Sequence, residues 1–135
     1  LVLLRTEKTR SREMSVALKR AYEPAAPADG TRILVDRLWP RGVTKTEARI
    51  DRWAKDLAPS TELRKWFGHD PEKWSEFQTS YRMELKGNPG LVEIRALARQ
   101  ATVTLVYAAK DTLHTHALVL KQVIDRGVRL PSRSK

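Results

Sequence analysis

The chain has 135 residues, of which 41% are hydrophobic and none is cysteine, and its formal net charge is +10. This length suits one domain with a core of its own, and the lack of cysteine excludes disulfides, a thiolate nucleophile and a cysteine-ligated zinc site. The lack of cysteine suits a reducing cytoplasm, and no apolar run approaches the roughly 20 residues that span a bilayer, so we expect a soluble, cytoplasmic protein without a membrane partner.

The positive charge is concentrated at the two ends of the chain. Residues 1–13 carry +2 and residues 126–135 carry +4, which leaves +4 for residues 14–125. We interpret residues 1–13 as a disordered extension before a natural start at Met14, residues 14–127 as a single domain, and residues 128–135 as a basic, flexible tail. Because such a tail can bind phosphates non-specifically, nucleic acid stays open as a partner.

Two short strands are predicted at the start of the domain. Residues 15–22 alternate apolar and polar side chains, and residues 31–36, TRILVD, have the β-branched composition of a buried strand. The second strand runs into a loop that carries Asp36, Arg37 and Arg41. In open α/β sheets ligands bind beyond the carboxyl ends of strands, so this loop is the first candidate site segment.

Four helices are predicted between this loop and the last strand. The first begins with Thr44 and Glu47 at capping-box spacing and continues as an amphipathic helix to Leu57. The others are expected after the N-cap candidates Ser60, Asp70 and Asn88. Three tryptophans lie at helical spacing among apolar residues, which favours core positions over a base-stacking surface: Trp53, Trp66 and Trp74.

The last two elements complete an α/β pattern. Residues 102–108, TVTLVYA, are predicted to form a central strand covered on both faces, and residues 116–124 a final helix that stops at Gly127. The order of elements indicates an α/β fold with a small, largely parallel sheet of about three or four strands, flanked by about five helices in Rossmann-like layering.

Parallel, adjacent strands would bring the two strand-end loops to one edge of the sheet. Arg37 and Arg41 offer planar guanidinium groups for phosphate or carboxylate, and the start of the last helix also favours an anion. The pattern therefore predicts a site for an anionic or phosphorylated small molecule. It leaves open whether the protein is an enzyme.

The same loops contain candidates for proton transfer, namely Asp36 or Asp111 as general base and His114 or His116 as acid or base. Each has a structural interpretation beside the chemical one. Asp36 and Arg37 can form an ion pair that closes the strand, Asp111 can cap the last helix, His114 suits the surface, and His116 can cap or pack.

Motifs for bound groups are absent from the sequence. It contains no GxGxxG fingerprint, no phosphate loop, no GxSxG turn and no paired histidines at the spacing of a zinc site. We therefore expect neither a cofactor nor a metal.

Three segments carry a family resemblance: VDRLWPRG at 35–42, LAPSTELRKWFGHDP at 57–71, and TLVYAAKD followed by HAL at 104–118. Together they closely resemble the YeaO-like bacterial proteins of the family called domain of unknown function 488, over about Val16 to Ile124. The resemblance implies a single cytoplasmic α/β domain. It implies no particular reaction, because the biochemistry of the family is unsettled.

The resemblance adds Ser60 and Arg64 to the candidate pocket, since both lie in the second motif. Thr115 stands where family members often have Asn, so a role that needs an amide there is in question. A non-catalytic nucleic-acid or protein-binding module is the competing function, and motifs that serve only the fold are a third interpretation. The candidates are Asp36, Asp111 and His116 for catalysis, and Arg37, Arg41, Gly42, Ser60, Arg64 and Lys110 for ligand binding.

Overall fold

The computed structural model of this protein describes residues 16–126. The predicted extension, Met14, Gly127 and the predicted tail lie outside the described residues. Within them four strands form one sheet in which every pair is parallel, in the order β1-β4-β2-β3. The strands are β1 (Val16–Arg20), β2 (Thr31–Leu34), β3 (Arg52–Trp53) and β4 (Val103–Tyr107).

The five α-helices of the described residues lie around this sheet, and the predicted α/β fold with a parallel sheet is confirmed. Ser60, Asp70 and Asn88 each accept a backbone N–H from the first turn that follows them, as their N-cap assignment predicts. The helices are α1 (Lys45–Ala48), α2 (Thr61–Phe67), α3 (Trp74–Leu85), α4 (Pro89–Gln100) and α5 (His116–Arg126). Three 3-10 turns accompany them: Pro27–Asp29, Lys55–Leu57 and Pro71–Lys73.

The prediction of a long amphipathic helix from Thr44 to Leu57 is wrong. The capping box of Thr44 and Glu47 is present, but α1 ends after four residues because Arg49 adopts a left-handed backbone with φ 48°. The chain then turns back to the sheet edge, where the N–H of Ala54 donates to the carbonyl of Leu34 at 2.8 Å. The ladder of β3 against β2 thus replaces the helical bonds that the apolar spacing had indicated.

The two faces of the sheet are covered differently. Helices α2–α5 bury the larger core cluster against one face, with Tyr81 fully buried at its centre. The opposite face carries a smaller cluster around Leu34 and Val106, covered by Trp39, Ile50 and Trp53. No helix in residues 16–126 is long and apolar enough to cross a membrane.

The three tryptophans predicted as core residues have different environments. Trp53 packs in the smaller cluster and Trp74 against the larger one. Trp66 is 39% exposed, so its assignment to the core is wrong. The short helix α2 buries Leu63 and Phe67, which are four residues apart on one face, and leaves Trp66 beside that face.

Candidate functional site

The carboxyl ends of β2 and β4 lie side by side, and a hydrogen bond joins the loops that follow them. The ladder continues past β2, since the N–H of Val35 donates to the carbonyl of Val106 at 3.0 Å. One residue later the Oδ2 atom of Asp36 accepts the N–H of Ala108 at 3.0 Å. Strand pairing thus brings the two predicted site loops together at the carboxyl ends of the strands.

A cavity of about 280 Å³ opens at this end of the strands. It is bordered by the loops after β2 and β4, the segment before α2, α2 and the loop that follows it, and the starts of α3 and α5. Its polar and charged lining consists of Asp36, Arg37, Arg64, His69, His114, Thr115 and His116. Its apolar lining consists of Leu38, Ala58, Pro59, Phe67, Phe77, Ala108 and Ala109.

His116, the first residue of α5, is fixed between two residues from the end of β2. Its Nε2 atom lies 2.9 Å from the carbonyl of Val35 and 3.3 Å from Oδ1 of Asp36. A carbonyl only accepts hydrogen bonds, so Nε2 must carry the proton and donate to Val35. The edge of the ring also packs against Tyr81, with the ring centroids 5.9 Å apart.

Burial favours the neutral form of both side chains in the Asp36–His116 pair. It raises the pKa of Asp36, although the charge of His116 and the N–H of Ala108 act in the opposite direction. It lowers the pKa of His116, against the attraction of Asp36 and the hydrogen bond to Val35. The Oδ1 atom of Asp36 is buried and accepts no hydrogen bond from residues 16–126, because the one hydrogen on Nε2 of His116, which lies 3.3 Å away, is donated to Val35.

Arg37 connects the loop after β2 to the segment that precedes α2. Its Nε and Nη2 atoms donate to the carbonyl of Pro59 at 3.3 and 3.2 Å, and Nη2 also reaches the carbonyl of Ala58 at 3.4 Å. The suggested ion pair of Arg37 with Asp36 is not formed, because Asp36 is bound to Ala108 and His116 instead. Arg37 therefore has a structural role and still lines the cavity.

Arg64 reaches the same cavity from α2 and is exposed. Its side chain makes no hydrogen bond or ion pair with any residue between 16 and 126. The cavity thus contains one arginine that is tied to the backbone and one that is not.

Five candidates from the sequence do not line this cavity. Ser60 caps α2 and donates its hydroxyl to Glu84 at 2.6 Å, and the carbonyl of Arg41 accepts the hydroxyl of Tyr22. Gly42 occupies a turn with φ 80°, and Lys110 is exposed. The fifth is Asp111.

Asp111 lies beside the cavity and orients a residue that does line it. Its carboxylate accepts the backbone N–H groups of Leu113 and His114, and its Oδ2 lies 2.8 Å from Nδ1 of His114. The hydrogen bond from the His114 ring is the main reason that the pKa of Asp111 is below its ordinary value. The alternative role of Asp111 as the cap of α5 is wrong, since the Oγ1 atom of Thr115 accepts the N–H of Ala117 there.

Sequence reasoning undervalued four residues that line the cavity: Phe67, His69, Phe77 and His114. The spacing of Asp111 and His114, three residues apart, is the one local signal that pointed to a paired histidine. The two phenylalanines follow the helical pattern of core residues and are buried, so only the tertiary structure shows that they also face a cavity. No group of three or more His, Asp or Glu side chains within residues 16–126 is arranged to hold a metal ion.

Comparison with known proteins adds a family to this geometry. The family model described as the inactive DUF488-N3 subclade matches residues 15–131. An uncharacterised protein of Mycobacterium tuberculosis is 44% identical over 114 residues, which cover 84% of this chain and 97% of the relative. The uncharacterised protein YeaO of Escherichia coli is 45% identical over 108 residues, covering 79% of this chain and 94% of the relative. No solved structure matches the chain.

Proposed function

This chain belongs to the DUF488 family, and from that premise we propose that it is a binding domain, not a catalyst, for a small anionic ligand in the strand-end cavity. The matching subclade is described as inactive, which favours binding over turnover. One observation carries the proposal: Arg37 and Arg64 line the same cavity, and the Arg64 side chain makes no hydrogen bond or ion pair within residues 16–126.

The charges around the cavity favour an anion. Two guanidinium groups face one carboxylate, and burial favours the neutral form of that carboxylate by raising its pKa. Arginine binds phosphate or carboxylate oxygens through parallel N–H groups. The Nη1 atom of Arg37 is not used in the bonds to Ala58 and Pro59, so both arginines have donors for a ligand.

The rest of the lining favours a ligand with a flat, apolar part. The rings of Phe67 and Phe77 are stacked with their centroids 4.4 Å apart, and both line the cavity. Apolar walls with a few polar groups are typical of small-molecule sites. A phosphorylated or carboxylated ring compound combines the two features, and a donor on that ring would pair with Oδ1 of Asp36.

The candidate acid–base groups are engaged with the backbone, which agrees with a site that binds without turnover. His116 donates through Nε2 to Val35, and Asp36 accepts the N–H of Ala108. Asp111 does not line the cavity. Two of the three candidates thus join the loops at the strand ends, a role that needs no proton transfer.

The experiment is a binding titration with phenyl phosphate, followed by thermal shift and calorimetry. Arg64→Ala should weaken binding by about tenfold or more, since a charge-assisted hydrogen bond contributes about 1.5–3 kcal/mol. Lys65→Ala is the matched control: it removes an equal charge from the same helix, but Lys65 does not line the cavity. Its affinity should stay within about twofold of the native value. Equal losses in both variants, or no saturable binding, would contradict the proposal.

His114 supports a second candidate, an acid–base enzyme, because Asp111 holds its ring at the cavity wall. Release of phenol from phenyl phosphate that disappears in His114→Ala would replace the binding proposal with this one.

A nucleic-acid-binding function is distinguished from ligand binding in the cavity by a separate experiment. Salt-dependent duplex binding that is lost on deleting residues 127–135, and that survives Arg64→Ala, would favour the basic tail as the functional element.

A further inference from the structure

A second cavity lies at the opposite end of the strands, near the amino-terminal end of β2. Its volume is about 320 Å³, and its lining includes Gly30, Arg32, Arg49 and Asp51. None of these four residues contributes to the strand-end cavity. A ligand at this end would therefore be independent of the function proposed above.

Arg32 provides a buried donor at this cavity. Only 4% of its side chain is exposed. Its Nε atom donates to the carbonyl of Ala48 at 2.9 Å, and its Nη1 atom to Oδ2 of Asp29 at 2.7 Å. Its Nη2 atom is buried and has no acceptor within residues 16–126. A buried donor of a charged group without an acceptor is unfavourable, and an oxyanion in the cavity would supply the acceptor.

The charges around Arg32 leave an excess of positive charge. Asp29 is shared, because it also pairs with Lys19 at a distance of 3.0 Å from Nζ to Oδ1. Two cations therefore rely on one carboxylate. Hydrogen bonds from the backbone of Ala26 and from both cations outweigh the effect of desolvation and hold the pKa of Asp29 below its ordinary value, so this carboxylate stays ionised near neutral pH.

Arg49 adds a second guanidinium to the lining. Its left-handed backbone, with φ 48°, ends α1 and places the residue at the cavity. Asp51 opposes this charge, but its Oδ2 atom accepts the backbone N–H of Arg32 at 2.8 Å. Counting Lys19, Asp29, Arg32, Arg49 and Asp51, the cluster keeps one net positive charge.

We propose that this cavity is a second anion site, in which a carboxylate or phosphate oxygen accepts from Nη2 of Arg32 and from the guanidinium of Arg49. Planar guanidinium groups suit both oxyanions. The chemistry is the same whether the oxyanion is a free ion or the acidic group of a larger metabolite.

Nuclear magnetic resonance titrations with acetate and with inorganic phosphate test this site. The backbone amides of Gly30 and Arg32, and the Nε–H of Arg32, should shift along a saturable curve at constant ionic strength. Arg49→Ala should weaken binding about tenfold or more, which is the lower end for loss of one charge-assisted hydrogen bond. Asp51→Asn should tighten it, because an amide oxygen can still accept from Arg32 and the opposing charge is gone.

Two controls separate this site from general electrostatics and from the strand-end cavity. Lys45→Ala removes one charge from α1, and Lys45 does not line this cavity. Arg64→Ala alters only the other cavity, so the shifts at Gly30 and Arg32 should persist in both variants. Shifts that grow linearly without saturation, or that are equally weakened by Arg49→Ala and Lys45→Ala, would overturn the proposal. Loss of the Gly30 and Arg32 shifts in Arg64→Ala would also overturn it, whereas phenyl phosphate binding that survives Arg64→Ala would count against the strand-end site and leave this one standing.

Discussion

The two arginines of the first motif should contribute unequally to stability. Arg37 donates three hydrogen bonds to the buried carbonyls of Ala58 and Pro59, with N···O distances of 3.2–3.4 Å. Hydrogen bonds to charged groups contribute about 1.5–3 kcal/mol each when well formed, but these distances are long. We therefore expect Arg37→Ala to lower the free energy of unfolding by about 2 kcal/mol in total, or about 8 °C in Tm.

Arg41 is the matched control, since it lies in the same loop and is exposed, and its side chain makes no hydrogen bond or ion pair with residues 16–126, while its carbonyl accepts the hydroxyl of Tyr22. Arg41→Ala should stay within about 0.5 kcal/mol of the native protein. Urea unfolding followed by tryptophan fluorescence measures both variants, and an unchanged m-value would show that the loss belongs to the folded state. A loss below about 0.5 kcal/mol in Arg37→Ala, or equal losses in the two variants, would refute the structural role of Arg37.

Three further predictions concern proton binding and backbone conformation. Asp36→Asn should lower the pKa of His116 further below its ordinary 6.5, because the Asp36 charge opposes the effect of burial; a ring titration by nuclear magnetic resonance that shows a rise would contradict this. Because the fold disfavours the protonated ring, the contribution of His116 to the free energy of unfolding is fully present above pH 6.5 and decreases as the pH falls from 6.5 towards the lower pKa of the folded state. His116→Gln should therefore reduce the pH dependence of the free energy of unfolding measured by urea titration. Gly30→Ala should lower the free energy of unfolding by more than about 3 kcal/mol, because its Cβ would lie 2.2 Å from the carbonyl oxygen of Thr102. Gly87 also has a positive φ but has open space around it, so Gly87→Ala should lower the free energy of unfolding by only about 1 kcal/mol. Equal losses in the two variants would refute the steric explanation.

Local chemistry accounts for the parts of the fold that the sequence predicted correctly. Side chains at Ser60, Asp70 and Asn88 satisfy the first N–H groups of a helix without help from the rest of the chain. The continuous apolar run of β4 reflects burial on both faces, and all five of its residues are buried. Such features depend on neighbours within a few residues, so a sequence pattern reveals them.

The segment after α1 shows what a sequence pattern could not reveal. Ile50 and Trp53 are spaced as on a helix, yet they cover the outer face of the sheet from an edge strand. The choice depends on β2, about 20 residues earlier, whose free edge offers backbone partners to residues 51–54. Tertiary pairing of this kind overrides helical periodicity when the alternative satisfies the same backbone groups.

The sequence likewise predicted only part of the candidate site. The rule that ligand sites lie beyond parallel strands placed Asp36, Arg37 and His116 together, because strand order alone brings those loops to one edge. It could not separate the two motif arginines, since loop direction decides that Arg37 turns towards Pro59 while Arg41 stays outside the cavity. Nor could it find Arg64, for which a helix position gives no indication of a distant cavity; the family resemblance supplied that residue.

The contacts of Asp36 and His116 explain how a catalytic-looking pair can belong to a subclade described as inactive. His116 joins the start of α5 to Val35 at the end of β2, and Asp36 joins the same loop to Ala108 after β4. Both side chains therefore have a reason to be present that requires no reaction, and their presence says little about turnover. Arg64 differs, because its side chain makes no hydrogen bond or ion pair within residues 16–126. A substitution at Arg64 therefore tests ligand binding separately from folding, which no substitution at Asp36, Arg37 or His116 can do.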